Sequence, residues 1–320
     1  MKKIIIVGPG GIGGTIAGVL ARAGGCHVTV VGRPGAHTET IRETGLRITG
    51  LQDFTVPMDA VDDMSLVNEC DILLYTIKAQ DMAAALEQSA HIRINDAVFS
   101  LQNGVVKDDL LTEVFGKEKV IGALSVIASG RPEPGVINWA YDGGTQFGEL
   151  DGSHSARVDY MTNLFSQAGL DAKTTDSVLS ATWTKMIGWI PIGLLGTLSR
   201  QKNAGILSTR ILATELVHLI RELNALADLR DIPMLNFGPY QVKTWCEGTV
   251  EEAVENVMNS PLTTSTSTHS ALTDILNGRP TEFEACAGPM IAEAREKGIP
   301  MPRTEVMYNT LMGLEATLDG

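Results

Sequence analysis

The sequence has 320 residues, of which 44% are hydrophobic. A chain of this length exceeds the size at which one hydrophobic core usually divides, so we expect two domains. Acidic residues outnumber basic ones by 38 to 25, and the formal net charge of −13 argues against nucleic acids and anionic membranes as partners. The four cysteines are scattered without metal-ligand spacing, so we expect a reducing compartment, no disulfide framework and no metal site.

We expect neither a membrane span nor a signal peptide. Glycines interrupt the apolar start soon after Val7. The most apolar later run, from Met186 to Leu198, is too short to cross a bilayer and contains Pro191.

The first 33 residues have the pattern of a dinucleotide-binding βαβ unit. A β-branched strand, Lys3 to Val7, precedes a glycine-rich turn and a small-residue helix, and a second strand runs from His27 to Arg33. Gly8 permits a tight turn, Gly10 lets the backbone approach a pyrophosphate, and Gly13 lets the helix approach the strand. The loop residues predicted to bind the cofactor are Gly8, Pro9, Gly10, Gly11, Ile12 and Gly13.

The residue that ends the second strand indicates which dinucleotide binds. An acid there would accept a hydrogen bond from the ribose 2′-OH of NAD, whereas an arginine pairs with a 2′-phosphate. Arg33 occupies this place, so the sequence predicts NADP(H). An ordinary surface arginine remains the alternative.

Two later strands end in polar residues. The apolar run from Asp71 to Ile77 leads to Lys78 and Gln80, and the run from Asp96 to Leu101 leads to Asn103. Ligands of open α/β sheets bind beyond the carboxyl ends of the strands, so these side chains are predicted to lie along the cofactor. The other elements predicted here are strands over 46–49, 120–127, 136–141, 144–148 and 170–174, which complete the sheet, and helices over 81–90 and 156–168.

Strand signals stop near residue 175. Helices are predicted to begin after Ser177 and Thr209 and to cover 240–257, 268–276, 290–297 and 304–318. The predicted fold class is therefore α/β, with a Rossmann-type dinucleotide-binding domain over 1–175 and an all-helical substrate or catalytic domain over 176–320.

The second domain must supply an acid for the alkoxide that hydride transfer creates. Lys185, on the first predicted helix beside two tryptophans, is the best candidate, although many such lysines only lay their stem on the ring. Thr281 and Glu284 have the spacing of a capping box, which would place Glu282 in the first turn of a helix. His269 stands alone and is predicted to be structural.

These motifs resemble those of the ketopantoate reductase family over essentially the whole chain. The resemblance depends on the Gly8–Gly13 loop with Arg33, Lys78-Ala79-Gln80, Gln102-Asn103-Gly104, Trp183-x-Lys185, Asn203, and Ser270-x-x-x-Asp274 followed by Gly278-Arg279-Pro280-Thr281-Glu282. It implies a helical domain like that of 6-phosphogluconate dehydrogenase. It also implies NADPH-dependent reduction of ketopantoate to pantoate, a cytoplasmic step toward pantothenate and coenzyme A.

The resemblance also assigns roles to residues. Lys185 matches the general acid of the family, and Glu282 matches the carboxylate that holds the substrate hydroxyl and aids the lysine. Glu282 is also expected to border the cofactor. The residues that match groups orienting substrate or nicotinamide are Asn103, Asn203 and Ser270, and those that match cofactor-binding groups are Arg33, Lys78 and Gln80.

Three positions depart from the family pattern. Trp189, Gly193 and Ser267 stand where family members commonly carry asparagine. A reductase of the same architecture acting on another, bulkier or more apolar, 2-oxo acid is therefore one alternative, and a non-catalytic NADPH-binding sensor is another. The apolar helices could form a homodimer interface or only a core.

Overall fold

The computed structural model describes residues 1–318 and divides into two compact units, Met1–Val178 and Leu179–Gly320. Residues 319 and 320, which end the predicted second domain, lie outside the described residues. Within the described residues, every strand belongs to the first unit, and the second unit is helical. The predicted fold class, α/β followed by a helical domain, is confirmed.

The first unit contains two sheets and five helices. The strands are β1 Lys2–Val7, β2 Cys26–Val31, β3 Leu46–Gly50, β4 Phe54–Val56, β5 Asp59–Val61, β6 Glu69–Tyr75, β7 Arg93–Ser100, β8 Gly122–Glu133, β9 Val136–Gly148 and β10 Ala172–Thr174. The helices are α1 Gly11–Ala23, α2 Ala36–Thr44, α3 Met82–Ser89, α4 Lys107–Phe115 and α5 Ala156–Gln167, with short 3₁₀ turns at Met64–Leu66 and Ala79–Asp81.

The first sheet is parallel, in the order β5-β2-β1-β6-β7. The chain leaves β1 in one direction toward β2 and later returns on its other side as β6, which makes the carboxyl end of β1 the switch point where such sheets bind ligands. Alternate residues of β1 enter two hydrophobic clusters: Ile4 and Ile6 face one, and Ile5 and Val7 face the other. Both faces of the sheet are therefore buried.

The later strands of this unit do not complete the first sheet, so that prediction was wrong. They form a second sheet in the order β10-β9-β3-β4, with β8 paired to β9. The separate strands predicted over 136–141 and 144–148 are also wrong, because β9 continues to Gly148 through irregular pairing with β8. Gly144 adopts a φ of 94° at this irregularity, a conformation that glycine permits at little cost, so the strand bends without ending.

Helix α1 lies between the two sheets. A Cβ added to Gly13 would lie 2.1 Å from the Thr76 Oγ1 at the end of β6, and one added to Gly18 would lie 2.7 Å from Ile48 of β3. The helix can approach both sheets only because these positions lack side chains. The small-residue composition of α1 therefore reflects packing on two sides.

The second unit is built from helices. They are α6 Val178–Ser199, which starts at the last residue of the first unit, α7 Asn203–Ser208, α8 Arg210–Leu229, α9 Val242–Cys246, α10 Val250–Met258, α11 Ser270–Leu276, α12 Phe283–Cys286, α13 Gly288–Glu296 and α14 Pro302–Glu315. The single helix predicted over 240–257 was wrong. Gly248, at a φ of 70°, ends the first segment, and Thr249 forms a capping box with Glu252 that starts α10.

Among the helices of residues 1–318, only α6 is both long and apolar enough to cross a membrane. It has the length and hydropathy of a membrane span, but 94% of its apolar window is buried inside the protein. Its composition is that of a core helix, which satisfies the same length and hydropathy test.

Candidate active site

The glycine loop leaves an open cradle at the start of α1. Gly8 has a φ of 94°, and its N–H donates to the Val31 carbonyl oxygen at 2.8 Å, which ties the turn to β2. A Cβ added to Gly10 would meet no atom within 4 Å. No side chain caps α1 at Gly10, and its first turn contains no acid, so its amide groups and helix dipole suit an anion. These features fit a dinucleotide pyrophosphate.

Thr76 fixes the other side of this loop. Its hydroxyl lies 2.8 Å from the Gly8 carbonyl oxygen and 3.0 Å from that of Val7. Gly13 approaches the same hydroxyl so closely that any larger residue would collide with it. Thr76 was not predicted to support this loop, although a threonine that directly follows a largely apolar strand is a usable signal in the sequence.

Arg33 forms an ion pair that the sequence did not predict. Its Nη2 lies 2.7 Å from Oδ2 of Asp81, while 82% of the Arg33 side chain remains exposed. The carbonyl of Lys78, just before the same 3₁₀ turn, accepts a hydrogen bond from Nε2 of Gln102 at 3.1 Å. These contacts connect the carboxyl ends of β2, β6 and β7 at one edge of the sheet. Three predicted cofactor residues thus stand on this edge, namely Arg33, Lys78 and the exposed Gln80.

Asn103 directly follows Gln102 at the end of β7 and is half-buried. Gly104 then turns the chain with a φ of 105°. The position of Asn103 on the carboxyl edge agrees with a ligand-facing residue, as the strand pattern suggested.

Lys185 and Glu282 belong to the second unit, and the charges of both influence the buried thiol of Cys286. Burial raises the pKa of this thiol, the negative charge of Glu282 raises it further, and the positive charge of Lys185 lowers it. Both charges therefore act on one sulfur atom although they are almost 100 residues apart in the chain. Only 7% of Lys185 is exposed, whereas Glu282 is half-buried.

The predicted capping box before α12 is wrong. The Thr281 hydroxyl instead contacts the carboxylate of Glu315 and accepts a hydrogen bond from the Phe283 N–H at 3.1 Å. Glu282 is itself the residue before the helix, not part of its first turn. Because the Thr281 hydroxyl contacts the carboxylate of Glu315, Thr281 and Glu284 do not form the capping box that their spacing predicts.

Asn203 and Ser270 occupy two helix starts of the second unit. Asn203 begins α7, and its Nδ2 donates to the Ser267 hydroxyl at 3.1 Å. Its Oδ1 is buried and has no partner among residues 1–318. Ser270 begins α11 and is exposed. The roles of Asn203 and Ser270 toward the substrate remain predictions.

An aromatic cluster extends from the Lys185 helix to the Glu282 segment. Trp189, one turn after Lys185, stacks on Phe283 with ring centroids 5.1 Å apart and an interplanar angle of 18°. The centroids of the His269 and Trp189 rings are 4.4 Å apart. A Cβ added to Gly193 would lie 2.4 Å from His269, so the glycine makes room for this ring. The aromatic cluster, defined as Trp189, His269 and Phe283, thus occupies the surroundings of the candidate acid.

His269 has the structural role that the sequence suggested. Its Nδ1 accepts a hydrogen bond from the Ala271 N–H at 3.1 Å and so caps α11. Burial lowers its pKa to about 3, which keeps the ring neutral at neutral pH. Within the described chain, no three His, Cys, Asp or Glu side chains are grouped as metal ligands would be.

Two family models match almost the whole chain. Residues 4–152 match the model described as ketopantoate reductase PanE/ApbA, and residues 177–315 match its C-terminal model. A 2-dehydropantoate 2-reductase of Pyrococcus abyssi is 27% identical over 318 residues, which cover 98% of each chain.

Solved structures show the same architecture. The 2-dehydropantoate 2-reductase of Geobacter metallireducens is 25% identical, with a TM-score of 0.82 and coverage of 97% of this chain and 99% of that one. A D-mandelate dehydrogenase solved with NADH and anilino(oxo)acetate reaches a TM-score of 0.85 at 19% identity and covers 99% of both chains. At that identity the likeness establishes the fold alone.

Proposed function

This chain belongs to the ketopantoate reductase family of oxidoreductases, and from that premise we propose that it reduces 2-dehydropantoate (ketopantoate) to pantoate with NADPH. The observation that carries the proposal is the burial of Lys185, which is only 7% exposed, in the unit where the charges of Lys185 and Glu282 both influence the Cys286 thiol. Binding a dinucleotide requires neither charge at that place. Reduction of a carbonyl group requires an acid.

The cofactor is held by the first unit in this proposal. The glycine loop from Gly8 to Gly13 receives the pyrophosphate, and Arg33, with Lys78, receives the 2′-phosphate. Gln80 and Asn103 border the remainder of the molecule at the carboxyl edge. NADPH, when bound, supplies the hydride; the remaining tasks belong to the protein side chains.

Lys185 donates the proton that the carbonyl oxygen needs when carbon receives hydride. Its ammonium stabilises the developing negative charge before the proton moves, which is the larger part of such catalysis in a site that excludes water. Glu282 accepts a hydrogen bond from the substrate hydroxyl and also borders the cofactor, and Asn203 and Ser270 orient the substrate.

In the cell, we assign this reaction to the cytoplasm, within the synthesis of pantothenate and coenzyme A, as the family implies. The substrate is then a small 2-oxo acid.

A second candidate substrate is a 2-oxo acid with an aromatic or branched apolar side chain. The observation that favours it is the aromatic cluster, in which Trp189 stacks on Phe283 directly beside Glu282 in the sequence. Apolar walls recognise apolar side chains and cannot pair with a substrate hydroxyl, which weakens selection for ketopantoate.

Steady-state assays of NADPH oxidation, with 2-dehydropantoate and a panel of branched and aromatic 2-oxo acids, test the proposal. We expect 2-dehydropantoate to give the highest kcat/KM. A higher value for an aromatic acid would establish the second candidate. Tight NADPH binding without turnover on any acid would instead identify a non-catalytic sensor.

A further inference from the structure

His37 connects three separate segments of the first unit. The residue lies in the first turn of α2, just after Arg33-Pro34-Gly35. Its Nε2 lies 2.6 Å from the carbonyl oxygen of Pro9 in the glycine loop, and its Nδ1 accepts a hydrogen bond from the N–H of Gly135 at 2.9 Å. Gly135 belongs to the turn that joins β8 to β9. The imidazole therefore spans from the glycine loop to this turn.

The two hydrogen bonds determine the protonation state of the ring. The Gly135 amide can only donate, so Nδ1 must carry a lone pair, and Nε2 must carry the proton that it donates to Pro9. Burial lowers the pKa of His37, with a smaller contribution from the positive charge of Arg131, while the Pro9 carbonyl opposes the shift. The ring is thus neutral at neutral pH and is held in one tautomer.

The turn at Gly135 is itself held in place by neighbouring elements. Its carbonyl accepts a hydrogen bond from the Arg47 N–H of β3 at 2.9 Å. A Cβ added to Gly135 would lie 2.4 Å from Thr40 of α2, so the turn packs directly on the helix that carries His37. The bridge thus attaches the glycine loop to the second sheet.

The carbonyl groups of the glycine loop are each held by a partner. Thr76 holds the Gly8 carbonyl, the Gly14 N–H donates to the Gly10 carbonyl at 2.7 Å, and His37 holds the Pro9 carbonyl. The Cα of Gly10 faces open space, and glycine tolerates rotation of the Pro9–Gly10 peptide. A carbonyl oxygen turned into the cradle would repel a phosphate, whereas the present orientation keeps the oxygen on the His37 side.

We propose that His37 is a positioning residue, which holds the Pro9–Gly10 peptide in the orientation that admits the cofactor pyrophosphate. This inference rests on the proposed function in taking a dinucleotide as the ligand. His37 does not contact the substrate and takes no part in proton transfer. Its effect is confined to cofactor affinity and is the same for NADPH and NADH, because both carry the pyrophosphate.

Two substitutions separate the two hydrogen bonds. The amide nitrogen of His37→Gln can replace Nε2 and keep the bond to Pro9, whereas the oxygen of His37→Asn can replace Nδ1 and keep only the bond to Gly135. We expect His37→Asn to raise the Kd of both cofactors about tenfold, the effect of leaving one acceptor unpaired, and His37→Gln to stay within about threefold. The kcat at saturating NADPH should be unchanged in both variants.

Fluorescence titration of each purified variant with NADPH and NADH, followed by steady-state assays, provides the measurement. His91→Asn is the matched control, because His91 Nε2 also bonds a backbone carbonyl, that of Val67 at 3.0 Å, away from the glycine loop. Equal losses in the Asn and Gln variants, or a lowered Tm with unchanged Kd, would overturn the inference. A wild-type protein that binds no NADPH would refute the proposed function instead.

Discussion

Arg33 and Lys185 are the two cations most important to the proposed chemistry, and their environments are opposite. Arg33 is largely exposed and holds a carboxylate partner, Asp81, at the edge of the sheet. Lys185 is buried, and its charge and that of Glu282 both influence the Cys286 thiol. An exposed guanidinium can exchange or share its carboxylate partner with an incoming phosphate.

Lys185→Met should lower kcat by the order of 10²–10⁴ that general acid catalysis contributes, since the alkoxide then has no proton donor. The Kd of NADPH should hardly change, because the residues proposed to hold its pyrophosphate and 2′-phosphate belong to the first unit. Stopped-flow single-turnover kinetics and fluorescence titration measure the two quantities. Lys297→Met, which removes an exposed lysine paired with Glu296 at 3.1 Å, is the control. Near-normal turnover of Lys185→Met would remove the lysine from catalysis.

Arg33→Ala should weaken NADPH binding by roughly 1.5–3 kcal/mol, the contribution of a hydrogen bond to a charged group, and leave NADH almost unaffected. The ratio of the two Kd values, measured by titration at fixed ionic strength, reports the effect. Arg47→Ala removes another exposed arginine with a carboxylate partner, Asp53 at 3.4 Å, and should change neither constant. Equal losses for both cofactors would show that Arg33 does not bind the 2′-phosphate.

At the scale of elements, α1 combines two demands in one short sequence. Its N-terminus leaves open space for a ligand, while its sides approach both sheets closely. Glycine satisfies both demands for different physical reasons. At Gly10 the missing side chain leaves space for a ligand, whereas at Gly18 a side chain would collide with its neighbours. The two positions can therefore be separated experimentally.

Gly10→Ala should keep the free energy of unfolding within about 1 kcal/mol of the wild type, because nothing lies within 4 Å of the new methyl group and the backbone conformation suits alanine. Its cofactor affinity should fall, since the methyl group enters the cradle. Gly18→Ala places a Cβ 2.7 Å from Ile48 and should cost about 1–3 kcal/mol of stability. Urea unfolding and NADPH titration of both variants test this contrast, which a destabilised Gly10→Ala would contradict.

At the scale of the whole molecule, burial of the His269 imidazole makes the stability of the fold depend on pH. His269 is 6% exposed and has a pKa of about 3, against an ordinary value of 6.5. Unfolding exposes the ring, and the unfolded chain then binds a proton that the folded chain excludes. The contribution of neutral His269 to the free energy of unfolding is therefore fully present above about pH 6.5 and is lost as the pH falls toward 3.

His269→Asn should reduce this acid dependence, because asparagine can still cap α11 but does not titrate. Between pH 6.5 and pH 4 the Tm of the variant should fall less than that of the wild type, as measured by calorimetry. Acidic side chains also contribute to acid unfolding, so only the difference between the two proteins isolates His269. Parallel curves for both proteins would contradict the assignment.

The nucleotide-binding unit could be predicted from the sequence because its determinants are local. The order of strand, Gly8–Gly13 loop, helix and second strand lies within 33 consecutive residues, and each glycine meets a steric demand set by close neighbours. The helical character of the second unit followed in the same way from apolar periodicity. The resemblance at Lys185 and Glu282 also depended on residue types at fixed spacing.

The tertiary structure decided what depends on contacts between distant segments. The second sheet pairs β3 with β9, almost 90 residues later, and no local pattern distinguishes that pairing from continuation of the first sheet. Thr281 contacts the carboxylate of Glu315 instead of forming the expected capping box, and Arg33 forms an ion pair with Asp81. His37 bonds to Pro9 and Gly135, which lie 28 and 98 positions away. Periodicity and propensity describe a segment and its neighbours in sequence, whereas these bonds form only when folding brings separate segments within about 3 Å of each other.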